Sequence, residues 1–259
     1  MLVDLHNHTP LCNHAEGTIQ EYVQSAIEQG TKVFGFSDHA PMDFDPKYRM
    51  KFEEMSEYES DVLKAKEAYK DKIEILLGYE VDYLKGHMDK KVLNADVDYL
   101  IGSVHFLEGW GFDNPEFIGK WEEQDIDEIW QKYFDTIEEM AASELFDIVG
   151  HFDLIKVFKF MPKGDILEMA EKALQAIKKA GMVLELNVAG YRKDVQEAYP
   201  SRRLLQRAFE LGIPITFASD AHKPEQVSLY NDEIVEMAKS IGYFKCSYFI
   251  KRQQCEIEF

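Results

Sequence analysis

The first strand–helix unit of the chain, residues 2–30, reads LVDLHNHTPLCNHAEGTIQEYVQSAIEQG. Its opening residues Leu2–His6 form a short apolar run that is typical of a buried strand. The later residues Thr18–Gly30 repeat apolar side chains with the 3.6-residue period of an amphipathic helix. Thr18 and Glu21 have the spacing of a capping box, which marks where that helix begins. This unit therefore predicts one β-strand followed by one α-helix.

The same alternation continues to the end of the chain. Further strands are predicted at Val33–Ser37, Ile73–Val81, Tyr99–Val104, Phe146–Gly150, Met182–Asn187 and Pro214–Ser219, and the tail Cys246–Lys251 also has strand character. Further helices are predicted at Glu53–Lys72, which is highly charged and expected to face solvent, and at Ile126–Ser143, Asp165–Ala180, Ser201–Leu211 and Asn231–Ile241. Seven alternations favour an α/β fold with a parallel sheet. The sheet is either a TIM-like barrel, one unit short, or an open doubly wound sheet.

Length, charge and motif content limit what the chain does. With 259 residues and no repeat or linker, the whole chain, 1–259, is predicted to be a single domain. Its 29 basic and 48 acidic residues give a net charge of −19, which argues against nucleic acid and anionic membranes as partners. No glycine-rich nucleotide motif and no G-x-S-x-G motif occurs, so a nucleotide cradle and serine hydrolase chemistry are unsupported.

Cysteine usage and hydropathy bear on cellular location. The three cysteines, Cys12, Cys246 and Cys255, contain no C-x-x-C pair, which favours a reducing compartment. No signal peptide precedes the first strand, and no apolar run approaches the roughly 18–20 residues that span a bilayer. A cytoplasmic location is therefore expected. The sequence does not indicate an oligomeric state.

Most of the histidines fall at one kind of position. Six of the eight lie at or just beyond the C-terminal ends of predicted strands, namely His6, His8, His39, His105, His151 and His222. Glu80 and Asp220 have the same position on strands three and seven. Since the C-terminal ends of parallel strands meet at one mouth of a barrel, we expect these side chains to converge there. Imidazole and carboxylate together suit zinc, iron or manganese, and the set is large enough to predict at least two cations.

Each of these residues also has an ordinary structural explanation. A single histidine such as His105 is more often hydrogen-bonded in a core, Glu80 could be an ion-pair partner, and Asp220 could cap a helix. The coincidence of eight candidate ligands on one sheet edge favours the metal site. His87 is interpreted as a surface residue or as one that supports a ligand from outside, and Cys12 as a small buried side chain.

Seven motifs resemble, in order, those of the PHP (polymerase and histidinol phosphatase) superfamily. They are Asp4-Leu5-His6-Asn7-His8-Thr9, His14, Phe36-Ser37-Asp38-His39, Gly78-Tyr79-Glu80-Val81-Asp82-Tyr83, Gly102-Ser103-Val104-His105-Phe106, Val149-Gly150-His151-Phe152-Asp153-Leu154 and Ala218-Ser219-Asp220-Ala221-His222. The blocks Glu185-Leu186-Asn187 and Gly190-Tyr191-Arg192-Lys193 resemble the histidinol-phosphatase branch. The resemblance implies a distorted (β/α)7 TIM-like barrel that hydrolyses L-histidinol phosphate to L-histidinol and phosphate.

The resemblance further implies three divalent metal ions, which could be zinc, iron or manganese. The first ion would be held by His6, His8, Glu80 and Asp220. The second would be held by Glu80, His105 and His151, with Glu80 bridging the two ions. The third would be held by His14, His39 and His222. His14, which the strand pattern does not place, gains its role only from this resemblance.

A hydrolytic mechanism follows as a hypothesis. Clustered cations would lower the pKa of a bridging water, bind the phosphoryl oxygens and orient an in-line attack by hydroxide. Asp220 or His222 could then assist the leaving alkoxide. Neither the pattern nor the resemblance decides between these two residues.

Substrate contacts are predicted from charge and from position on strand six. Because the net charge repels a phosphate ester, the site must be locally positive, and Arg192 is the best candidate for a bidentate phosphate contact. Lys156 is the second candidate. Glu185 and Asn187 are expected to meet the ammonium or imidazole of the substrate. The alternatives are a solvated surface cation for the first two and hydrogen bonding inside the barrel for the last two.

Other functions stay open at this stage. A PHP phosphoesterase acting on another monoester, a diester or a nucleotide would have the same ligands and a different pocket. A noncatalytic metal-bound module that docks to a larger assembly is also conceivable, although the complete ligand set argues against it. An amidohydrolase on a similar barrel would need a carboxylated lysine or a different histidine pattern. The expected partner is thus a small-molecule phosphate ester.

Overall fold

Seven parallel strands form a nearly closed barrel. The computed structural model describes residues 1–259, and its barrel strands are Val3–Asp4 (β1), Val33–Phe36 (β2), Glu74–Asp82 (β3), Tyr99–Ser103 (β4), Ile148–Val149 (β5), Val183–Asn187 (β6) and Ile215–Ala218 (β7). Each strand pairs with the next in chain order. Hydrogen bonds from Leu5 N to Phe217 O (3.1 Å) and from His8 N to Ala221 O (3.0 Å) join the two ends of the sheet. The distorted (β/α)7 TIM-like barrel is therefore confirmed, and the open sheet is wrong.

Helices cover the outside of this barrel. They are Ile19–Glu28 (α1), Met55–Tyr69 (α2), Lys90–Leu93 (α3), Ile126–Ala142 (α4), Ile166–Ala180 (α5), Arg202–Glu210 (α6) and Asn231–Ile241 (α7). The predicted capping box begins α1, because Thr18 N donates to Glu21 Oε2 at 2.7 Å and Glu21 N donates to Thr18 Oγ1 at 3.3 Å. One continuous core of 72 buried residues runs from Met1 to Phe249. No helix combines the length and the apolarity needed to cross a bilayer.

The second helix was predicted to face solvent, but one side of it is buried in the structure. Met55, Tyr58, Val62 and Ala65 are all buried. They repeat at intervals of three, four and three residues, so they form one narrow apolar stripe along the helix. Because charged residues occupy many of the remaining positions, this stripe is hard to see in the sequence. The helix packs its stripe against the barrel next to β3.

The C-terminal tail forms a hairpin and not a single strand. Lys245–Ile250 pairs antiparallel with Gln253–Glu258. Glutamine and glutamate dominate the second strand, so the strand lacks the apolar residues by which it could be recognised in the sequence. The backbone nitrogens of Lys251 and Arg252 donate to Asp98, which directly precedes β4. The hairpin therefore lies at the N-terminal end of the barrel, opposite the strand ends that carry the histidines.

The segment after β4 builds one wall of the other barrel mouth. It contains a short hairpin, Phe106–Leu107 with Trp110–Gly111, and a 3-10 helix at Pro115–Glu123. Trp121 anchors the segment, since its ring lies 4.9 Å from the Phe160 ring and its Nε1 donates to Phe112 O at 2.9 Å. The sequence pattern does not predict these short elements. Residues of these elements, including Phe106, Gly111 and Pro115, line the cavity at this mouth of the barrel.

Candidate metal centre

The strand ends bring nine predicted ligands to one mouth of the barrel. They are His6, His8 and His14 after β1, His39 after β2, Glu80 in β3, His105 after β4, His151 after β5, and Asp220 and His222 after β7. They lie around and beneath a cavity of about 470 Å³. The C-terminal ends of the parallel strands meet at this mouth, so residues far apart in sequence come together as the strand pattern predicts.

The first group of side chains surrounds one oxygen of Glu80. His6, His8 and Glu80 place one ligand atom each within 4.8 Å of one another. His6 Nε2 lies 3.3 Å from Glu80 Oε2, and His8 Nε2 lies 3.8 Å from the same oxygen. Asp220 Oδ1 approaches from the other side, 3.2 Å from His8 Nε2 and 4.0 Å from His6 Nε2. These four side chains can enclose one cation.

The second group surrounds the other oxygen of Glu80. Glu80 Oε1 lies 2.9 Å from His151 Nε2 and 3.6 Å from His105 Nε2. The ligand atoms of these three residues also lie within 4.8 Å of one another. Because the two carboxylate oxygens face different groups, Glu80 has the geometry of a bridging ligand.

The third group consists of imidazoles at the edge of the cavity. His14, His39 and His222 bring their ring nitrogens within 4.8 Å of one another. His14 Nε2 and His222 Nε2 are 2.9 Å apart, and the His8 and His222 rings stack at 4.1 Å. Crowding of this kind among imidazoles is favourable when a cation lies between the nitrogens.

Cys12 also lies close to this region. Its sulfur belongs to a group with His8 and His222. Burial raises the pKa of the Cys12 thiol, so the thiolate form needed for metal binding is disfavoured. The residue is fully buried, in agreement with its interpretation as a small core side chain.

Several buried atoms in the centre have no hydrogen-bond partner in the protein. They are His6 Nε2, His39 Nδ1, Glu80 Oε2 and His151 Nδ1. A buried polar atom without a partner is rare, because its desolvation is not compensated. A divalent cation held by His6, His8 and Glu80 would supply the missing interaction to His6 Nε2 and Glu80 Oε2. The donor set therefore fits a metal of the zinc, iron or manganese type.

The electrostatics of the centre favour the metal-binding forms of several ligands. Burial raises the pKa of Glu80 and of Asp220, but the surrounding histidines outweigh burial and hold both pKa values well below their ordinary range. Burial lowers the pKa of His39 to about 4, and burial together with His8 lowers the pKa of His222. The two carboxylates are thus ionised and the two imidazoles are neutral at neutral pH.

Each of four ligand histidines is oriented by a hydrogen bond through its Nδ1. The partners are Glu185 Oε1 for His6 (2.7 Å), Asp38 Oδ1 for His8 (3.3 Å), Cys12 O for His14 (2.8 Å) and Asp82 Oδ1 for His105 (2.6 Å). Such bonds fix the tautomer and leave Nε2 free for a metal. The sequence analysis missed Asp38 and Asp82, although Asp82 follows Glu80 by two residues and so shares its face of β3.

Arg192 lies where a phosphate contact requires it. Its guanidinium lines the cavity, and Nη2 donates to Ser219 O at 2.8 Å and to Asp220 O at 2.9 Å. Nη1 is buried without a partner. A fixed guanidinium beside a cavity, with one nitrogen not bonded to the protein, is suited to an anionic ligand.

Lys156 has a different role from the one predicted. Its ammonium donates to Glu197 Oε2 at 2.7 Å and to Ala198 O at 2.7 Å, and lies 2.9 Å from Asp153 Oδ2. The side chain is 1% exposed and does not line the cavity. All three donors are occupied, and this geometry contradicts the prediction that Lys156 binds phosphate directly.

Glu185 and Asn187 point towards the mouth from β6 but stop beneath the cavity. Glu185 accepts from His6 Nδ1, from His151 N at 2.7 Å and from Asn187 Nδ2 at 2.9 Å. Asn187 also donates to Asp220 Oδ2 at 3.3 Å. Both side chains are fully buried, so the prediction that they contact the substrate is wrong in this structure. They hold ligands in place instead.

Comparisons with known proteins identify the family of this chain. The family model described as PHP domain matches residues 4–189. A Deinococcus radiodurans protein named "Probable histidinol-phosphatase" is 40% identical over 246 residues, which cover 93% of this chain and 94% of the relative. The "Histidinol-phosphatase" of Bacillus subtilis is 28% identical over 265 residues, covering 90% of this chain and 98% of the relative.

A solved structure shares the fold. The histidinol phosphate phosphatase of Lactococcus lactis, crystallised with zinc, L-histidinol and phosphate, matches with a TM-score of 0.81 at 20% identity, over 98% of each chain. The family model covers more than half of the chain, and the Deinococcus relative is similar over almost its whole length. This chain therefore belongs to the PHP domain family.

Proposed function

We propose that this protein is a histidinol-phosphatase, which hydrolyses L-histidinol phosphate to L-histidinol and phosphate. One observation carries the proposal: three groups of metal-binding side chains, two of them sharing Glu80, surround a cavity that Arg192 also lines. Phosphomonoester hydrolysis is extremely slow without a catalyst, and clustered cations beside an anion site meet that need. The 40% identity to the Deinococcus relative supports the choice of substrate.

The proposed cofactors are three divalent ions of zinc, iron or manganese. We assign the first to His6, His8, Glu80 and Asp220, the second to Glu80, His105 and His151, and the third to His14, His39 and His222. When bound, the ions act as Lewis acids that activate water and neutralise charge on the phosphoryl oxygens. The unpartnered buried atoms His6 Nε2 and Glu80 Oε2 support the first of these assignments.

The side chains around the ions supply binding and proton transfer. Ser219 O and Asp220 O hold one nitrogen of Arg192, so the guanidinium is preorganised to bind phosphate. We keep Asp220 and His222 as the proposed catalytic pair. Both have lowered pKa values and so are unprotonated at neutral pH, and the proton that the leaving alkoxide takes up would come from the attacking water, relayed by one of these two residues.

The size of the cavity suits a small-molecule phosphate ester. Its volume of about 470 Å³ lies within the range of about 300–1,000 Å³ typical of small-molecule sites. Leu154, Val157 and Tyr199 provide apolar and aromatic walls beside the polar centre. We propose that the imidazole part of the substrate packs there, with residues 1–259 forming one phosphoesterase domain.

The test combines metal removal with a substrate panel. Protein stripped by a chelator is assayed for phosphate release from L-histidinol phosphate, before and after zinc, manganese or iron is added back, and the metal content is measured. We expect activity only with metal, and a strong preference for L-histidinol phosphate over p-nitrophenyl phosphate and a nucleoside monophosphate. Activity that survives complete metal removal would contradict the mechanism. Preferred turnover of bis(p-nitrophenyl) phosphate would instead identify a diesterase of the same family.

A further inference from the structure

Arg49 is a buried cation on the cavity wall that no assigned role explains. It lies between the 3-10 turn Pro46–Tyr48 and α2, and only 4% of the residue is exposed. Its Nε donates to Asp45 O at 2.8 Å, and its Nη1 donates to Asp82 Oδ2 at 2.7 Å. Both contacts come from different segments, so the guanidinium ties the loop after β2 to the end of β3.

Asp82 connects Arg49 to a metal ligand. Its Oδ2 accepts from Arg49, and its Oδ1 accepts from His105 Nδ1 at 2.6 Å. The opposite nitrogen of the same ring, His105 Nε2, lies 3.6 Å from Glu80 Oε1. A continuous line of contacts therefore runs from Arg49 through Asp82 and His105 to the bridging carboxylate.

The carboxylate in the middle of this line depends on Arg49. The Asp82 side chain is 2% exposed, and a buried carboxylate is costly unless it is paired. With Arg49 bonded to one oxygen of Asp82, the other oxygen stays aligned with His105 Nδ1. That alignment keeps the proton of His105 on Nδ1 and leaves Nε2 free for the metal.

We propose that Arg49 is a positioning residue for the second metal group, acting through Asp82 on His105. This inference rests on the metal centre of the proposed function. Arg49 itself contacts neither the ligand nitrogen nor Glu80. Its effect should therefore appear in metal affinity, which can be measured without substrate.

The test is a zinc titration of metal-free protein against a competing chromogenic chelator. For Arg49→Gln we expect zinc affinity about 10- to 100-fold weaker at one part of the centre, the range seen when an outer partner of a metal ligand is lost. The matched control is Arg252→Gln. Arg252 also pairs with a partly buried aspartate, Asp147, but at the opposite end of the barrel. The control should lower the melting temperature without weakening zinc binding.

A double-mutant cycle tests whether Arg49 acts through Asp82. We expect Asp82→Asn to weaken zinc binding as much as Arg49→Gln does, and the double variant to be no weaker than Asp82→Asn alone. If Arg49→Gln does not fold, Arg49→Lys decides, because one ammonium cannot hold both Asp82 and Asp45 O, and about a 3- to 10-fold loss is expected.

The possible outcomes distinguish a failure of the proposed metal centre from a failure of the proposed role of Arg49. Wild-type protein that binds no zinc would contradict the proposed metal centre itself. Wild-type protein that binds zinc, with a folded Arg49 variant of equal affinity or with additive losses in the cycle, would overturn only the role of Arg49.

Discussion

His39 Nδ1 lies 2.9 Å from Glu80 Oε2, yet these two buried atoms make no hydrogen bond with each other or with any other group. His6 Nε2 is a third such atom, 3.3 Å from the same oxygen. Three converging atoms without partners are costly in a metal-free protein and favourable around a cation. Glu80 is therefore the side chain on which the centre depends most.

We accordingly expect Glu80→Gln to weaken zinc binding by more than about 100-fold, beyond the loss caused by an outer partner, because two metal groups lose their shared anionic oxygen. Phosphatase activity should fall with metal content. Glu74→Gln is the matched control, since Glu74 begins the same strand but is exposed at its far end. Metal analysis after dialysis checks the prediction, and a Glu80→Gln protein with full metal content would contradict it.

Arg192→Ala should impair the reaction without removing metal. The lost contact is a charge-assisted hydrogen bond to phosphate, worth about 1.5–3 kcal/mol, so kcat/KM should fall about 10- to 150-fold. Arg192→Lys should recover part of the loss. Arg202→Ala, which removes an exposed guanidinium bonded to Ser240, is the control. Steady-state kinetics on L-histidinol phosphate give the answer, and unchanged kcat and KM would show that Arg192 does not bind phosphate.

The sequence predicted the metal ligands more completely than the residues that surround and support them. His6, Glu80 and His105 follow apolar strand patterns, and the parallel barrel then brings their side chains together. Lys156 could not be interpreted in the same way. Its motif shows only Asp153 nearby, whereas its second anionic partner, Glu197, lies 41 residues further on and reaches it through a separate loop.

The periodicity of apolar residues also could not place side chains on irregular backbone. His14 follows a 3-10 turn, so neither strand nor helix periodicity places it, and only the family resemblance assigned it to the third group. Arg49 follows a similar turn and shows no sign in the sequence of its contact with Asp82. Tertiary contacts between loops determine both positions.

Glu185→Gln distinguishes a ligand-orienting role from a substrate contact. Glu185 accepts from the ring of His6 and from the backbone of His151, so its loss should weaken zinc affinity about 10- to 100-fold. Once metal is saturating, KM for L-histidinol phosphate should stay near the wild-type value. A raised KM for this substrate alone, with unchanged KM for p-nitrophenyl phosphate, would instead restore the substrate contact predicted from sequence.

Lys156→Met should destabilise the fold and spare the chemistry. It leaves Asp153, which is 1% exposed, without its cation, and breaking a buried pair in this way costs about 3–5 kcal/mol. Urea unfolding measures the loss. The double variant Asp153→Asn/Lys156→Met should lose less than the sum of the single variants, because no uncompensated charge remains. If folded Lys156→Met protein keeps its stability but loses phosphate affinity, Lys156 is a substrate residue after all.

The pH dependence of the metal-free protein should reveal the ion pair between His105 and Asp82. Burial lowers the pKa of His105, but Asp82 and Glu80 outweigh burial and raise it to about 10, against an ordinary value of 6.5. A raised pKa in the folded state means that this pair stabilises the fold fully below pH 6.5. The contribution is lost as the pH rises from 6.5 through about 10.

The melting temperature of chelator-treated protein should therefore fall between pH 6.5 and pH 10, and His105→Gln should flatten that fall. Zinc must displace the same proton, so the zinc affinity of the wild-type protein should rise over this interval while the stability of the metal-free protein falls. The two trends have opposite signs because the same proton stabilises the metal-free fold and competes with zinc for His105. A zinc affinity independent of pH in this window would mean that His105 is already deprotonated before metal binds, and that the ion pair between His105 and Asp82 does not form.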